Sequence, residues 1–322
     1  VNDARSVAVV IPSWNSGELL RRCLDSLREQ GVELETLVVD NGSADGSVEH
    51  LRRAGVAHVA LPCNSGFAAA VNLGAARTTA GAILVLNADT VLEPGCAGRL
   101  LEVLDGDDSL GGVQPRILQL EGGSAAAPGP IAEARVYSAG QALTADGRAL
   151  EEGAGEPQRP ELLAAREVFG VCGAACLLRR ELFVELGGYD ERYFAFYEDV
   201  DLNVRARIAG WRFEYVPEAV VWHVGNASWK EGFSRPGPEN ARLVARNRLA
   251  TQVKFMPASA IPRIAAVEAG ALTRATRQRR FLATLRGKLS ALRWLPALLR
   301  ERRRLSREGD PAQARRWLGP PA

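Results

Sequence analysis

The chain carries an unbroken apolar run at Val7-Ala8-Val9-Val10-Ile11, and similar runs recur at Leu37-Val38-Val39, at 58–61 and at Ala82-Ile83-Leu84-Val85-Leu86. Runs this short, without polar alternation, suit strands buried on both faces of a parallel sheet. Between them the period changes. Leu19, Leu20, Cys23, Leu24 and Leu27 fall on one face of a helix that Asn15 or Ser16 can cap and Gly31 ends. A short polar helix then reaches about Ala54, and an alanine-rich one runs to about Arg77. This strand–helix alternation predicts an α/β fold, a Rossmann-like, mostly parallel sheet with helices on both faces.

Residues 121–160 change character, rich in Gly, Ala, Pro and Glu with only brief apolar pairs, and read as a hairpin and flexible loop over a site. The pattern then tightens into a strand at 173–178, a helix at 180–186, an acidic segment, strands at 212–216 and 219–224, and a helix from about Pro238 to Phe255. These divisions suggest two halves of one domain, 1–115 and 116–258, followed by a basic helical extension at 259–322.

Composition adds bounds rather than identity. With 322 residues, 47% hydrophobic and 24% charged, the chain matches ordinary globular proteins, and no apolar stretch is long enough to span a bilayer. The first residues lack the apolar centre of a secretory signal, and five cysteines at 23, 63, 96, 172 and 176 show no zinc-like spacing, so reduced thiols in the cytoplasm are expected. The net charge of +2 hides an asymmetry: residues 274–316 hold fourteen Lys/Arg against three Asp/Glu, which leaves the rest of the chain at −9. Those arginines are threaded through Leu272, Phe281, Leu282, Leu285, Leu289, Leu292, Trp294, Leu295, Leu298 and Leu299, a pattern for helices lying on an anionic membrane surface. A solvated helical pair packed on the domain is the plainer alternative. Nucleic acid is not expected as a partner, because the remainder is acidic and carries no recognisable module for it.

Two acidic sites carry the candidate chemistry. Glu198-Asp199-Val200-Asp201 begins a predicted helix; carboxylates this close raise one another's pKa and make a general base plausible. The bland reading is an acidic first turn with Asp201 paired to Arg205. Asn87-Ala88-Asp89 ends a buried strand, where open α/β sheets bind ligands and where one carboxylate plus phosphate oxygens can hold Mg²⁺ or Mn²⁺. A plain strand-end turn would use the same residues.

Together, Pro12-Ser13-Trp14-Asn15, Asp40-Asn41-Gly42-Ser43, Asn64-Ser65-Gly66-Phe67 with Asn72, Asn87-Ala88-Asp89, and Gly187-Gly188-Tyr189-Asp190 leading to Glu198-Asp199 resemble the inverting glycosyltransferases of family 2 with the GT-A fold, and within them the rhamnosyltransferase-like branch. The resemblance covers about residues 6–255. It implies that Asp40 reads a pyrimidine N–H, that Pro12, Trp14 and Asn15 shape the base pocket, and that Gly66, Asn72 and Asn87 line the nucleotide sugar. It further implies that Asp89, with His223 nearby, holds a divalent cation on the diphosphate, that Asp199 is the base, and that Glu198 orients the acceptor or the base. His223 reads equally well as a half-buried strand-end histidine. Arg246 and Arg248 resemble a family Arg-Asn-Arg element near phosphate, although an exposed helix face is their default. The implied activity is transfer of a sugar, with L-rhamnose from dTDP-rhamnose the first candidate, to a lipid-linked or cell-envelope glycan at the membrane's inner face. A UDP-sugar transferase of the same fold, a nucleotidyltransferase and a non-catalytic nucleotide-sugar binder stand behind it. Asn-Ala-Asp in place of Asp-x-Asp leaves a single side-chain ligand and so puts strict metal dependence in question.

Overall fold

The computed structural model describes residues 6–121, 128–225 and 237–319. Asn226 and the 122–127 part of the expected loop lie outside these. The elements in order are β1 (Ser6–Ser13), α1 (Gly17–Ser26), β2 (Glu33–Asp40), α2 (Ser47–Arg53), β3 (His58–Ala60), α3 (Phe67–Ala76), β4 (Ala82–Leu86), β5 (Thr90–Leu92), α4 (Cys96–Gly106) and β6 (Leu110–Gln119). They continue with β7 (Val136–Ser138), β8 (Gln141–Thr144), β9 (Ala149–Glu151), β10 (Arg166–Glu167), β11 (Ala175–Arg179), α5 (Arg180–Glu185), α6 (Glu198–Ala209), β12 (Arg212–His223) and α7 (Pro238–Phe255). The tail supplies α8 (Ile261–Arg277), α9 (Phe281–Leu292), α10 (Leu295–Glu308), α11 (Pro311–Arg315) and β13 (Leu318–Gly319).

One large sheet runs in the order β10-β12-β6-β11-β4-β1-β2-β3. Because β11 is antiparallel to both β4 and β6, and β12 is parallel to β6, six of these eight strands point the same way. The apolar runs explain the burial. Val7, Val9 and Ile11 face one layer with Leu20, Cys23 and Leu100, while Val10, Ile83 and Val85 face the other with Ala68, Val71 and Leu202. Both faces of the sheet are therefore covered, as its strands require. Strand β6 runs through position 115, so the sheet is continuous across the division expected there.

One expectation is corrected, the expected hairpin within 121–160 is present with further strands, and the tail packs on the domain as the plainer alternative has it. The strands expected at 212–216 and 219–224 are one strand, β12, with an irregular register between Val216 and Val220 around Pro217. Proline has no N–H for the ladder, and a local bulge lets the strand continue past it. Residues 121–160 hold more order than a loop: β7 joins the large sheet, while β8 and β9 form a hairpin that β13 extends into a three-stranded sheet. The tail is docked on the domain. Leu298 and Leu305 are buried, and Trp294 and Trp317 lie 4.7 and 4.4 Å from the guanidinium carbons of Arg246 and Arg207. No described helix is long and apolar enough to cross a membrane.

Candidate functional site

Register gathers the first set of residues. Ser13 pairs with Asp40, and Val10 pairs with Val85, so the ends of β1, β2 and β4 and the turn carrying Asp89 share one rim. Asp40 is fully buried. Its Oδ1 accepts the N–H groups of Gly42 and Ser43 at 3.1 and 2.9 Å, whereas its Oδ2 and the neighbouring Ser13 Oγ are shielded from solvent and have no partner. Buried polar atoms are nearly always satisfied, so two orphans on one rung mark a place for a ligand's polar groups. Pro12 and Trp14 are half-buried beside them. Asn15 ties the rim together: its side-chain Oδ1 takes Ala44 N–H at 2.8 Å, while its backbone N–H reaches Ser43 Oγ at 2.8 Å. Asn41 ties the next loop, accepting from Ser65 N–H and Oγ and donating to Gly66 O.

Gly66 has φ +94°, and a Cβ there would stand 2.6 Å from Phe194 O. Its small size thus admits the 193–197 turn. Asn72 is likewise committed to protein: its Nδ2 donates to Tyr189 O at 2.8 Å and its Oδ1 accepts Tyr189 N–H at 2.9 Å. It holds the Gly187–Asp190 loop, which leaves it a supporting place beside the donor.

The second cluster forms at the end of β4. His223 Nε2 lies 3.1 Å from Asp89 Oδ1 and 3.3 Å from Asn87 Nδ2, while its Nδ1 is buried without a partner. Pairing of β12 with β5 sets this arrangement by placing His223 opposite Thr90. The pair could hold a divalent cation, because about 3 Å is the edge of an octahedron with bonds of ~2.1 Å; the Asp89 oxygen suits Mg²⁺ or Mn²⁺, and the imidazole nitrogen favours a transition metal over Mg²⁺.

The third cluster surrounds Asp199. The turn before it holds Phe194, Phe196 and Tyr197 at φ +65°, +69° and +71°, conformations that cost roughly 1–2 kcal/mol each for side chains of this kind. Asn247 offsets that strain by donating from one amide nitrogen to the carbonyls of Tyr193, Ala195 and Phe196, and Arg246 adds a bond to Tyr193 O at 2.8 Å. The Arg-Asn-Arg element therefore braces the turn, with Arg248 bonded to Glu268 of the tail. Asp201 is structural, as expected: it pairs with Arg205 at 2.7 Å and also with Lys254 at 2.6 Å. Burial raises its pKa, but Lys254 and Arg205 outweigh this and hold it below the ordinary value.

Asp199 Oδ2 accepts from Gly173 N–H at 2.9 Å and from Gln141 Nε2 at 2.8 Å, and Oδ1 from Val200 N–H at 2.7 Å. Burial still raises its pKa against these donors, while Glu198, buried with Oε2 unpartnered, is pushed well up by burial and by Asp199. Glu151, Cys172 and Asp199 each bring a ligand-type atom within 4.8 Å of the others. The Gln141 amide nitrogen already bridges the two carboxyl groups there, at 3.0 Å from Glu151 and 2.8 Å from Asp199. That gives Asp89 and His223 the better claim to a cation.

The second and third clusters meet. Asn87 N–H bonds to Ala174 O, next to Gly173, whose N–H reaches Asp199. Tyr137 stacks on His223 at 4.4 Å, and burial, with the charges of Cys172, Glu151, Asp89 and Asp199, holds its phenol well above the usual range. Tyr137, Gln141 and Glu151 were not singled out in the sequence. Their signal was the Asp146-Gly147 turn between the two strands of the hairpin.

Comparison with known proteins identifies the family and the fold. The model of "Glycosyl transferase family 2" matches residues 8–187. An N-acetylglucosaminyl-diphospho-decaprenol L-rhamnosyltransferase of Mycobacterium tuberculosis is 31% identical over 243 residues, 67% of this chain and 75% of that one. The O-antigen chain rhamnosyltransferase RfbN of Salmonella typhimurium is 27% identical over 71% of this chain and 69% of its own. Among solved structures, GalNAc-T7 with UDP, GalNAc and Mn²⁺ superposes with a TM-score of 0.60 at 15% identity, covering 79% of this chain and 49% of that one. The mannosyltransferase PcManGT of Pyrobaculum calidifontis, in complex with GDP-Man and Mn²⁺, gives 0.51 at 18% identity, covering 98% and 87%. These two likenesses establish a GT-A fold. The chain is a glycosyltransferase and belongs to glycosyl transferase family 2.

Proposed function

We propose that the chain transfers L-rhamnose from dTDP-rhamnose, with inversion, to a lipid-linked or cell-envelope glycan at the cytoplasmic face of the membrane. The single observation that carries the mechanism is the meeting of the Asp89–His223 pair and Asp199 around Tyr137 and the 173–174 backbone. In this reading the pyrimidine N–H supplies the donor that Asp40 Oδ2 lacks, with Pro12 and Trp14 beside the ring. Asp89 and His223 hold the cation, which when bound neutralises charge on the diphosphate. Asp199 accepts the proton of the acceptor hydroxyl as its oxygen bonds to the anomeric carbon; the old C–O bond breaks, and its electron pair leaves with the nucleoside diphosphate. A single displacement of this kind inverts the anomeric centre. The M. tuberculosis relative's name, which specifies a decaprenol-linked acceptor, supports the acceptor class.

The tail supports the location. Leu282, Leu289 and Leu292 on α9, with Leu295 and Leu299 on α10, are exposed, and Arg279, Arg280 and Arg286 line a cavity of about 370 Å³ with Phe281 and Leu282. An apolar strip edged by positive charge suits an anionic lipid surface. Flotation with phosphatidylglycerol vesicles, lost on phosphatidylcholine alone, checks this. The reaction is tested by release of dTDP from dTDP-rhamnose on adding N-acetylglucosaminyl diphosphate on a short prenyl carrier. Asp199→Asn should fold, bind donor and lose about 10²–10⁴-fold in rate. Full activity in that variant removes the mechanism, and turnover of UDP-sugars alone would reassign the donor.

A further inference from the structure

The β8–β9 hairpin brings two polar side chains to Asp199 that belong to none of the motifs read from the sequence. Gln141 lies at the start of β8 and Glu151 at the end of β9, and the two residues face one another in register. The Gln141 amide nitrogen is 2.8 Å from Asp199 Oδ2 and 3.0 Å from Glu151 Oε1, so each of its two hydrogens serves one carboxyl group. Its carbonyl end is fixed in turn, accepting from Asn203 Nδ2 at 2.8 Å one helical turn beyond Asp199. An amide held at both ends cannot rotate to release either acid.

The two acids are not equivalent. Asp199 takes three N–H donors, from Gly173, Val200 and Gln141, and none of the two backbone groups can reverse its role. Glu151 takes one N–H from Gln141, the hydroxyl of Ser138 at 2.6 Å and the Cys172 thiol, side-chain donors only. The Ser138 hydroxyl accepts from Gly140 N–H at 3.3 Å and Gln114 Nε2 at 3.4 Å and gives Glu151 its one rotatable hydrogen, whereas two of the donors to Asp199 are fixed backbone groups. The surroundings thus favour charge on Asp199 and a proton on Glu151. The other groups facing this pair are the Cys172 thiol, the Tyr137 phenol and the Glu198 carboxyl, all held in their neutral forms, with burial the largest cause for each. Burial and the Asp199 charge push Glu151 up to about 7.

We propose that Gln141 and Glu151 are positioning residues for the general base: Gln141 clamps Asp199 through Oδ2, leaving Oδ1 toward the incoming hydroxyl, and Glu151 keeps the pair's proton so that the negative charge stays on Asp199. This rests on Asp199 being the base. When Glu151 ionises, a second negative charge beside Asp199 increases its proton affinity, so the rate profile should respond to both acids.

The test uses the full chain, with the prenyl-carried N-acetylglucosaminyl diphosphate as acceptor, and compares the pH dependence of kcat/KM in wild type, Glu151→Gln and Gln141→Leu. Carboxyl titration of ¹³C-labelled enzyme is followed alongside. In the wild type, one Glu carboxyl should titrate near 7 and the rate should show an inflection there. Glu151→Gln retains a hydrogen-bonding amide and should lose both signals, with donor KM within about threefold of wild type. Gln141→Leu should lower kcat at least tenfold without changing donor KM. An unchanged profile in Glu151→Gln, or unchanged kcat in folded Gln141→Leu, overturns the proposal even if Asp199→Asn is inactive. Activity in Asp199→Asn instead overturns the assignment of the base, and the carboxyl titration still reports whether Glu151 and Asp199 share a proton.

Discussion

The two sides of the site are held in shape by different means. On the Asp40 side, the loops after β1 and β2 hold themselves and each other: Asp40 binds the N–H groups two and three residues on, Asn15 joins the β1 loop to Ser43 and Ala44, and glycine occupies the positive-φ position at Gly42. On the Asp199 side, aromatic residues occupy positive φ, and the turn depends on Asn247 and Arg246 some fifty residues away in sequence. The comparison teaches that a rim made of strand ends can be specified locally, whereas the element bearing the acids is assembled by the far end of the chain.

Lys254 offers the strongest way to break that contrast. Its ammonium is fully buried, 2.6 Å from Asp201 and 3.0 Å from Glu301 of α10. Lys254→Met leaves buried carboxylates uncompensated and should destabilise by about 3–5 kcal/mol in a urea melt. Asn247→Ala comes next. It removes three bonds to a strained turn, and should cost about 2–3 kcal/mol together with most of the transfer rate while donor binding persists. Asn41→Ala on the opposite side should cost about 1 kcal/mol, since its losses are confined to the 64–66 loop, and should weaken donor binding, measured by calorimetry, more than kcat. If Asn41→Ala proves the more damaging of the two, the contrast fails.

The smallest effect is a pH dependence. Because the Asp201 pKa is lowered in the folded chain, its contribution is full above the ordinary aspartate value of 3.8 and is lost as pH falls below it. Glu151 has the opposite sign. Its raised pKa means that stability falls as pH climbs from about 4.5 toward 7, so Glu151→Gln should raise Tm more at pH 8 than at pH 5.

These differences also explain what the sequence could reveal. The parallel strands, the rim motifs and the Asp201–Arg205 pair are readable because apolar runs, glycines and i,i+4 charges act over short distances. One role of Gly66 was out of reach for the opposite reason: the residue it admits is Phe194, 128 positions later. The protein partners of Asn72 and of the Arg-Asn-Arg element were hidden because polar side chains advertise hydrogen bonds without naming their partners. The tail's leucines divide in a way their spacing among arginines does not show: Leu298 is buried on the domain while Leu289 and Leu292 remain outside.

Glu301 gives the tail a meaning that its composition conceals. It belongs to a helix beyond the family match, and its carboxylate faces both Lys254 and Arg192, which also engage Asp190 in the loop leading to the acids. A shortened version ending after α7 would keep every motif read from the sequence and still remove one of the carboxylates that Lys254 and Arg192 share at the centre of the scaffold. For anyone engineering this enzyme, the minimal working unit extends through α10.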